Sequence, residues 1–143
     1  MAGFKILVVD DEKEFVEMTV KRLIKRKFVC EAAHSGEEAV ELIKVGDFDV
    51  VLLDVKMPGM DGMQTLREIK RIKPLVEVVM LTGHASEESG IEGMNLGAFD
   101  YLKKPIEIEA LIEKLTDAYE TKVIQEAKID AFVKSRHPGE NSV

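Results

Sequence analysis

The sequence predicts an α/β protein, a doubly wound five-stranded parallel sheet with helices on both faces and an extended C-terminal helix. Three observations predict it. Short apolar runs rich in β-branched residues alternate along the chain with segments of helical periodicity, the pattern of repeated strand–helix units. Three of those runs, residues 6–9, 50–53 and 78–81, show no polar alternation, as strands buried on both faces do. Each run is followed at once by polar residues: Asp10-Asp11, Asp54 and Thr82. Open parallel sheets bind ligands outside the carboxyl ends of their strands.

The first strand spans residues 5–9. A helix follows over about 12–26, with Val16, Val20, Leu23 and Ile24 on one face. The second strand, 29–33, is interrupted by Glu31 and is therefore placed at a sheet edge. Ser35 caps the second helix, and Glu38 three residues later completes a capping box. Ala39, Leu42, Ile43 and Gly46 share the inner face of that helix. The third strand ends at Asp54, and the loop from Lys56 to Gly62 is dense in turn residues. The third helix runs over about 62–72 and is stopped by Pro74. The fourth strand ends at Thr82. The fourth helix, about 87–96, contains Gly90 and Gly93. Each interior glycine costs ~1 kcal/mol relative to alanine, so this helix is expected to be the least stable. The fifth strand is short, 100–103, with Lys104 and Pro105 after it. Strands 1, 3 and 4 are the most apolar and belong in the centre, which gives the flavodoxin-like order 2-1-3-4-5.

The fifth helix starts near Ile108. Ile108, Leu111, Ile112, Leu115 and Tyr119 are expected on the sheet. Val123, Ile124, Ala127, Ile129, Phe132 and Val133 continue a helical, partly apolar pattern past the core. The chain therefore divides into a domain over 4–120, a helical extension or linker over 121–135, and a disordered tail over 136–143. The extension reads either as a frayed or docked tail, or as a linker or coiled-coil dimer segment. Too few clean heptads are present to choose.

The 143 residues carry 20 basic and 27 acidic side chains, a formal net charge of -7. That balance argues against a nucleic-acid surface, which requires clustered Lys and Arg. No apolar stretch approaches the ~20 residues that span a bilayer. The N-terminus runs straight into a strand, so no secretory signal is expected, and the expected location is cytoplasmic. Cys30, the one cysteine, reads as a small buried apolar residue in a reduced compartment. His34, His84 and His137 lack metal-site spacing.

In the order 2-1-3-4-5, strands 1 and 3 are neighbours, so Asp10, Asp11 and Asp54 converge. At ~5 Å and an effective dielectric of 20, each like-charge pair costs ~3 kcal/mol. Such a cluster protonates or binds a cation, and an all-oxygen, carboxylate-rich site suits Mg²⁺, Mn²⁺ or Ca²⁺ rather than zinc, with Mg²⁺ favoured because it commonly uses one or two carboxylates plus a phosphate. Taken alone, Asp10-Asp11-Glu12 also fits an acidic run at a helix N-terminus. Thr82 and Lys104 supply a hydroxyl and an ammonium that can neutralise phosphoryl oxygens. Each is ordinary in isolation; their conjunction with the acids carries the reading.

Four segments together resemble the receiver domain of bacterial two-component response regulators. They are residues 8–12 (Val-Val-Asp-Asp-Glu), 53–62 from Leu53 to Gly62, 81–84 (Leu-Thr-Gly-His), and 101–105 (Tyr-Leu-Lys-Lys-Pro). The resemblance implies that Asp54 is the phosphoacceptor. It implies Mg²⁺ held by Asp11 directly, by Asp10 directly or through water, by Asp54, and by the backbone carbonyl of Lys56. Thr82 matches the switch hydroxyl and Tyr101 the switch aromatic. Lys104, directly before Pro105, matches the family lysine in preference to Lys103, and its bond to Pro105 is implied to be cis. The implied function is phosphoryl transfer from a sensor histidine kinase or phosphotransfer protein, with the helix 4/strand 5/helix 5 surface as output. Such a domain is a switch, catalysing only its own phosphotransfer and dephosphorylation. Lys56 and His84, two residues after Asp54 and Thr82, are expected to set the phosphate lifetime. A homodimer is implied through that output surface or through the C-terminal helix. No nucleic-acid or membrane partner is expected.

Three other classes compete with this reading. A haloacid-dehalogenase-like phosphatase requires D-x-D after strand 1, which is absent. A flavodoxin-like FMN carrier requires a hydroxyl- and glycine-rich loop where this chain has acids. A non-phosphorylated pseudo-receiver acting as an interaction module is the alternative to an active domain. The chain is either a stand-alone receiver or part of a longer regulator. The segment around Tyr101 to Pro105 is similar to receivers fused to ATPase activators or hybrid kinases.

Overall fold

Five strands form one parallel sheet in the order β2-β1-β3-β4-β5, the predicted topology, in a computed structural model that describes residues 3–83 and 86–136. β1 (Lys5–Val9) pairs with β2 (Val29–Ala33) and with β3 (Val50–Leu53). β4 (Glu77–Thr82) pairs with β3, and β5 (Asp100–Lys103) closes the far edge. The helices are α1 (Lys13–Lys25), α2 (Gly36–Val45), α3 (Gly62–Ile72), α4 (Glu87–Asn95) and α5 (Ile108–Arg136).

Successive strand residues point to opposite faces, so the apolar runs feed two cores. Leu7, Val9, Val51, Leu53, Val78 and Met80 pack with Ala39 and Ile43 of α2 and Leu66 and Ile69 of α3. Ile6, Val8, Val50, Leu52, Val79 and Leu81 pack with Val16 and Leu23 of α1 and Leu111, Leu115 and Ala118 of α5. Full burial of each Val, Leu, Ile or Met side chain among these contributes roughly 1.5–3 kcal/mol. This double coverage is why the three central strands carry no polar alternation.

Local signals differ in three places from the sequence expectation. Ser35 caps α2 by accepting the Glu38 N–H, but the Glu38 carboxylate accepts the His34 N–H at 2.7 Å instead of the Ser35 N–H. The capping box there is therefore displaced by one residue. A reciprocal box forms at α3, where Asp61 and Gln64 exchange bonds of 2.9 and 3.2 Å. Gly46 is the C-cap of α2 and not part of its inner face. A Cβ there would lie 2.7 Å from the Phe48 ring.

α1 ends in a Schellman motif. The Lys27 N–H bonds the Ile24 carbonyl and the Phe28 N–H bonds the Leu23 carbonyl. Lys27 has φ of 72°, a left-handed conformation that favours glycine.

α5 lies on the sheet as far as Tyr119 and then leaves it. From Val123 to Arg136 every residue is exposed, a helical overhang of roughly 20 Å. Arg136, assigned from sequence to the tail, is the last helical residue. The rest of that predicted tail lies outside the described residues. No described helix is long and apolar enough to cross a membrane.

Candidate functional site

The carboxyl edge of the sheet carries the site, and the backbone ladder fixes its residues. The Asp10 N–H donates to the Ala33 carbonyl at 3.1 Å and the Asp54 N–H to the Val9 carbonyl at 3.0 Å. Lys104 N–H donates to the Thr82 carbonyl at 2.9 Å. Each residue thus extends its strand pairing by one step, and its side chain emerges where the strand stops. Asp10, Asp54 and Thr82 are buried, while Asp11 is exposed. The Asp54 carboxylate accepts the Val55 N–H through Oδ1 at 2.9 Å. Gly62 lies flush against the same loop. A Cβ there would sit 2.6 Å from the Val55 backbone, and the Gly62 N–H donates to the Val55 carbonyl at 2.7 Å.

Asp10, Asp11 and Asp54 each offer a carboxylate oxygen, all within 4.8 Å of one another. Three hard oxygen donors at this spacing fit a divalent cation such as Mg²⁺. The side chain of Lys56, two residues after Asp54, is exposed.

Lys104 points into this cluster, whereas Lys103 is exposed. Lys104 Nζ donates to Asp10 Oδ2 at 2.6 Å and to Glu12 Oε1 at 2.8 Å, and lies 4.0 Å from the centroid of the Phe15 ring. The Lys104–Pro105 bond is cis. Burial raises the Asp10 carboxyl above its usual range; its bonds from Lys104 and the Glu12 N–H oppose the shift, and the charge of Asp54 adds to it. Burial pulls the Lys104 ammonium down, but the bonds to Asp10 and Glu12 and the charges of Asp10 and Asp54 together raise it. The ion pair itself favours both charges; the net rise at Asp10 reports how poorly a buried carboxylate is solvated. A pocket with that excess of negative charge has room for a further cation.

Tyr101 is half-buried. Its ring packs beside Gly90 and Gly93, and its hydroxyl accepts the Ser86 N–H at 3.3 Å. Ser86 is the N-cap of α4, so Tyr101 ties β5 to the start of that helix. His84 lies outside the described residues. Glu12 and Phe15 were absent from the sequence-derived site. In the sequence Glu12 stands as a third acid in a helix-start run and as the last residue of the 8–12 segment, with no role assigned to it, and Phe15 carries no signal.

Fold and site define a class: an α/β domain with an acid pocket at the carboxyl edge of its sheet, opposed by a lysine. Residues 6–116 match the family model of the response regulator receiver domain, and the chain belongs to that family, the receivers of two-component signalling. It is 36% identical over 131 residues to the transcriptional regulatory protein ZraR of Escherichia coli O157:H7, a match covering 92% of this chain and 30% of the relative. A response regulator receiver domain protein from Clostridium thermocellum is similar at 35% identity and a TM-score of 0.80, over 85% of this chain and 98% of that one. NtrX from Brucella abortus is similar at 31% identity and a TM-score of 0.85, over 92% of this chain and 30% of that one. The chain thus spans about 30% of the length of ZraR and of NtrX.

Proposed function

We propose that this receiver is a cytoplasmic, phosphorylation-dependent switch that takes a phosphoryl group onto Asp54 from a sensor histidine kinase or phosphotransfer protein. The observation that carries the reading is the buried Asp54 carboxylate at the end of a central strand, within 4.8 Å of two further carboxylates. Asp54 Oδ1 is engaged by the Val55 N–H, which leaves Oδ2 as the nucleophile. Oδ2 attacks phosphorus as the bond from phosphorus to the donor imidazole nitrogen breaks. The electron pair stays on that nitrogen, and an aspartyl phosphate is left. Asp10, Asp11, Asp54 and the Lys56 carbonyl would hold Mg²⁺, which when bound supplies charge neutralisation for the phosphoryl oxygens.

The new charge then draws the Thr82 hydroxyl at the end of β4, and Tyr101 turns inward behind it. Because the Tyr101 hydroxyl holds the N-cap of α4, its movement is transmitted to that helix. Ile91 and Met94 of α4 are exposed, as are Val123, Ile124, Ile129, Phe132 and Val133 of α5. They support output through the α4/β5/α5 surface or a dimer along α5. The ZraR match covers 131 of the 143 residues, so it runs at least to residue 131 and into the exposed part of α5. The receiver family match ends at residue 116 while the ZraR match runs on, which supports residues 4–120 as the receiver and 121–135 as a linker. Lys56 and His84, by sequence position, border the path of the water that removes the phosphoryl group.

Incubation with a small acyl phosphate and Mg²⁺, followed by intact-mass measurement, tests the reading. The expected result is one phosphoryl adduct on wild type, lost with a chelator and lost in Asp54→Ala. No adduct under any condition would mark a pure interaction module. An adduct that persists in Asp54→Ala would refute the assignment of the acceptor.

A further inference from the structure

Among the described residues, the Lys104 ammonium contacts Asp10, Glu12 and the Phe15 ring, and of these Asp10 belongs to the three-carboxylate cluster. Among the described residues, Lys104 forms no ion pair with Asp54 within 4.0 Å. Its ammonium is instead shared between Asp10 at 2.6 Å and Glu12 at 2.8 Å, over the face of Phe15. Glu12 and Phe15 occupy the N-cap and the third position of α1, three residues apart and therefore on one side of the helix start. Glu12 makes no side-chain capping bond to α1, unlike Ser35, Asp61 and Ser86 at their helices.

Asp10 and Glu12 are also linked through the backbone. The Glu12 N–H donates to Asp10 Oδ1 at 2.9 Å, so the turn that fixes Asp10 also presents Glu12 to the lysine. With Oδ1 engaged, Oδ2 is the Asp10 oxygen that remains for a cation, and Lys104 holds it.

Resting on the metal-dependent reading above, we infer that Glu12 is a positioning residue, the post onto which Lys104 withdraws when Asp10 is given to a divalent cation. Two carboxylates that share one ammonium compete for it. When a cation takes Asp10, Lys104 bonds Glu12 alone, and that bond strengthens. Glu12 thereby favours metal binding beyond its mere charge. Phe15 keeps the ammonium on this side of the pocket through its ring face. Reach decides the matter: aspartate has the charge of glutamate and one methylene less.

Titration calorimetry with Mg²⁺ on the 143-residue chain tests the inference. Glu12 is two-thirds exposed, so its variants are expected to fold, which far-UV circular dichroism checks. Glu12→Gln and Glu12→Asp are both expected to weaken Mg²⁺ binding roughly three-fold, the scale of one exposed ion pair. In a Lys104→Met background, Glu12→Gln is expected to change the affinity by less than half as much on a logarithmic scale. Glu12→Asp binding like wild type while Glu12→Gln binds more weakly would show that charge alone acts, and would overturn the proposal. So would an undiminished effect of Glu12→Gln in the Lys104→Met background, or unchanged affinity in both single variants. A wild-type chain that binds no Mg²⁺ would overturn the metal-dependent reading itself, and this inference with it.

Discussion

The two glycines of α4 face different surroundings, and replacing each by alanine separates helix propensity from packing. Both sit inside a nine-residue helix. In each case alanine removes a glycine penalty of ~0.8–1.0 kcal/mol. At Gly90 the added Cβ would lie 3.5–3.8 Å from three atoms of the Tyr101 ring, ordinary van der Waals distances. Three such contacts add about 0.3–0.6 kcal/mol. Gly90→Ala should therefore stabilise α4 by about 1.1–1.6 kcal/mol. At Gly93 the Cβ would lie 2.9 Å from Met80 Sδ, and Met80 is fully buried. Overpacking of this kind costs about 1–3 kcal/mol and cancels or reverses the gain. Amide hydrogen exchange along α4 reads the local effect. Protection should rise about ten-fold in Gly90→Ala, the equivalent of about 1.4 kcal/mol, and should not rise in Gly93→Ala. Urea titration should rank Gly90→Ala above Gly93→Ala in midpoint. Equal protection in the two variants, or loss in Gly90→Ala, would contradict the different surroundings assigned to the two glycines.

Lys27→Gly relieves a left-handed conformation in the Schellman motif of α1 and should stabilise the protein by about 1 kcal/mol, read as a higher Tm. Burial pushes the Cys30 thiol up to about 12 from 9.0. The folded state therefore favours the protonated thiol, a contribution present below pH 9.0 and lost as the pH rises toward 12. At pH 8 thiolate is scarcer by about 10³-fold but more nucleophilic, so iodoacetamide should alkylate native Cys30 about 40-fold more slowly than the denatured chain. Equal rates would contradict the burial assigned to it.

The central sheet was legible because burial on both faces leaves a plain mark, four consecutive apolar residues in β3 and again in β1. The position of Asp54 was legible for the same reason, since an acid directly after such a run stands at the sheet edge. Side-chain partnership was not. Asp10 and Asp11 are adjacent and chemically identical, yet the strand pleat buries one and exposes the other. Nor does the sequence show that Lys104 bonds Asp10 and Glu12, a pairing that exists because the turn after β1 brings both acids to it. The α3 capping box was hidden inside a run of turn residues, where Asp61 read as one more loop residue. Glu77, an acid, opens β4 ahead of the apolar run 78–81. It lies 3.9 Å from Lys70, whose ammonium also donates to the Pro74 and Val76 carbonyls, and that pairing lets a charged residue begin a central strand.

Phosphorylation at one named side chain is the core of the account, and its location can be read directly. Borohydride reduction converts an aspartyl phosphate to homoserine. After incubation with an acyl phosphate and Mg²⁺, peptide mapping of the reduced chain should find homoserine at position 54 and aspartate at positions 10 and 11. Homoserine at position 10 or 11, or unmodified aspartate at 54 in a chain that carries the phosphoryl group, would contradict it.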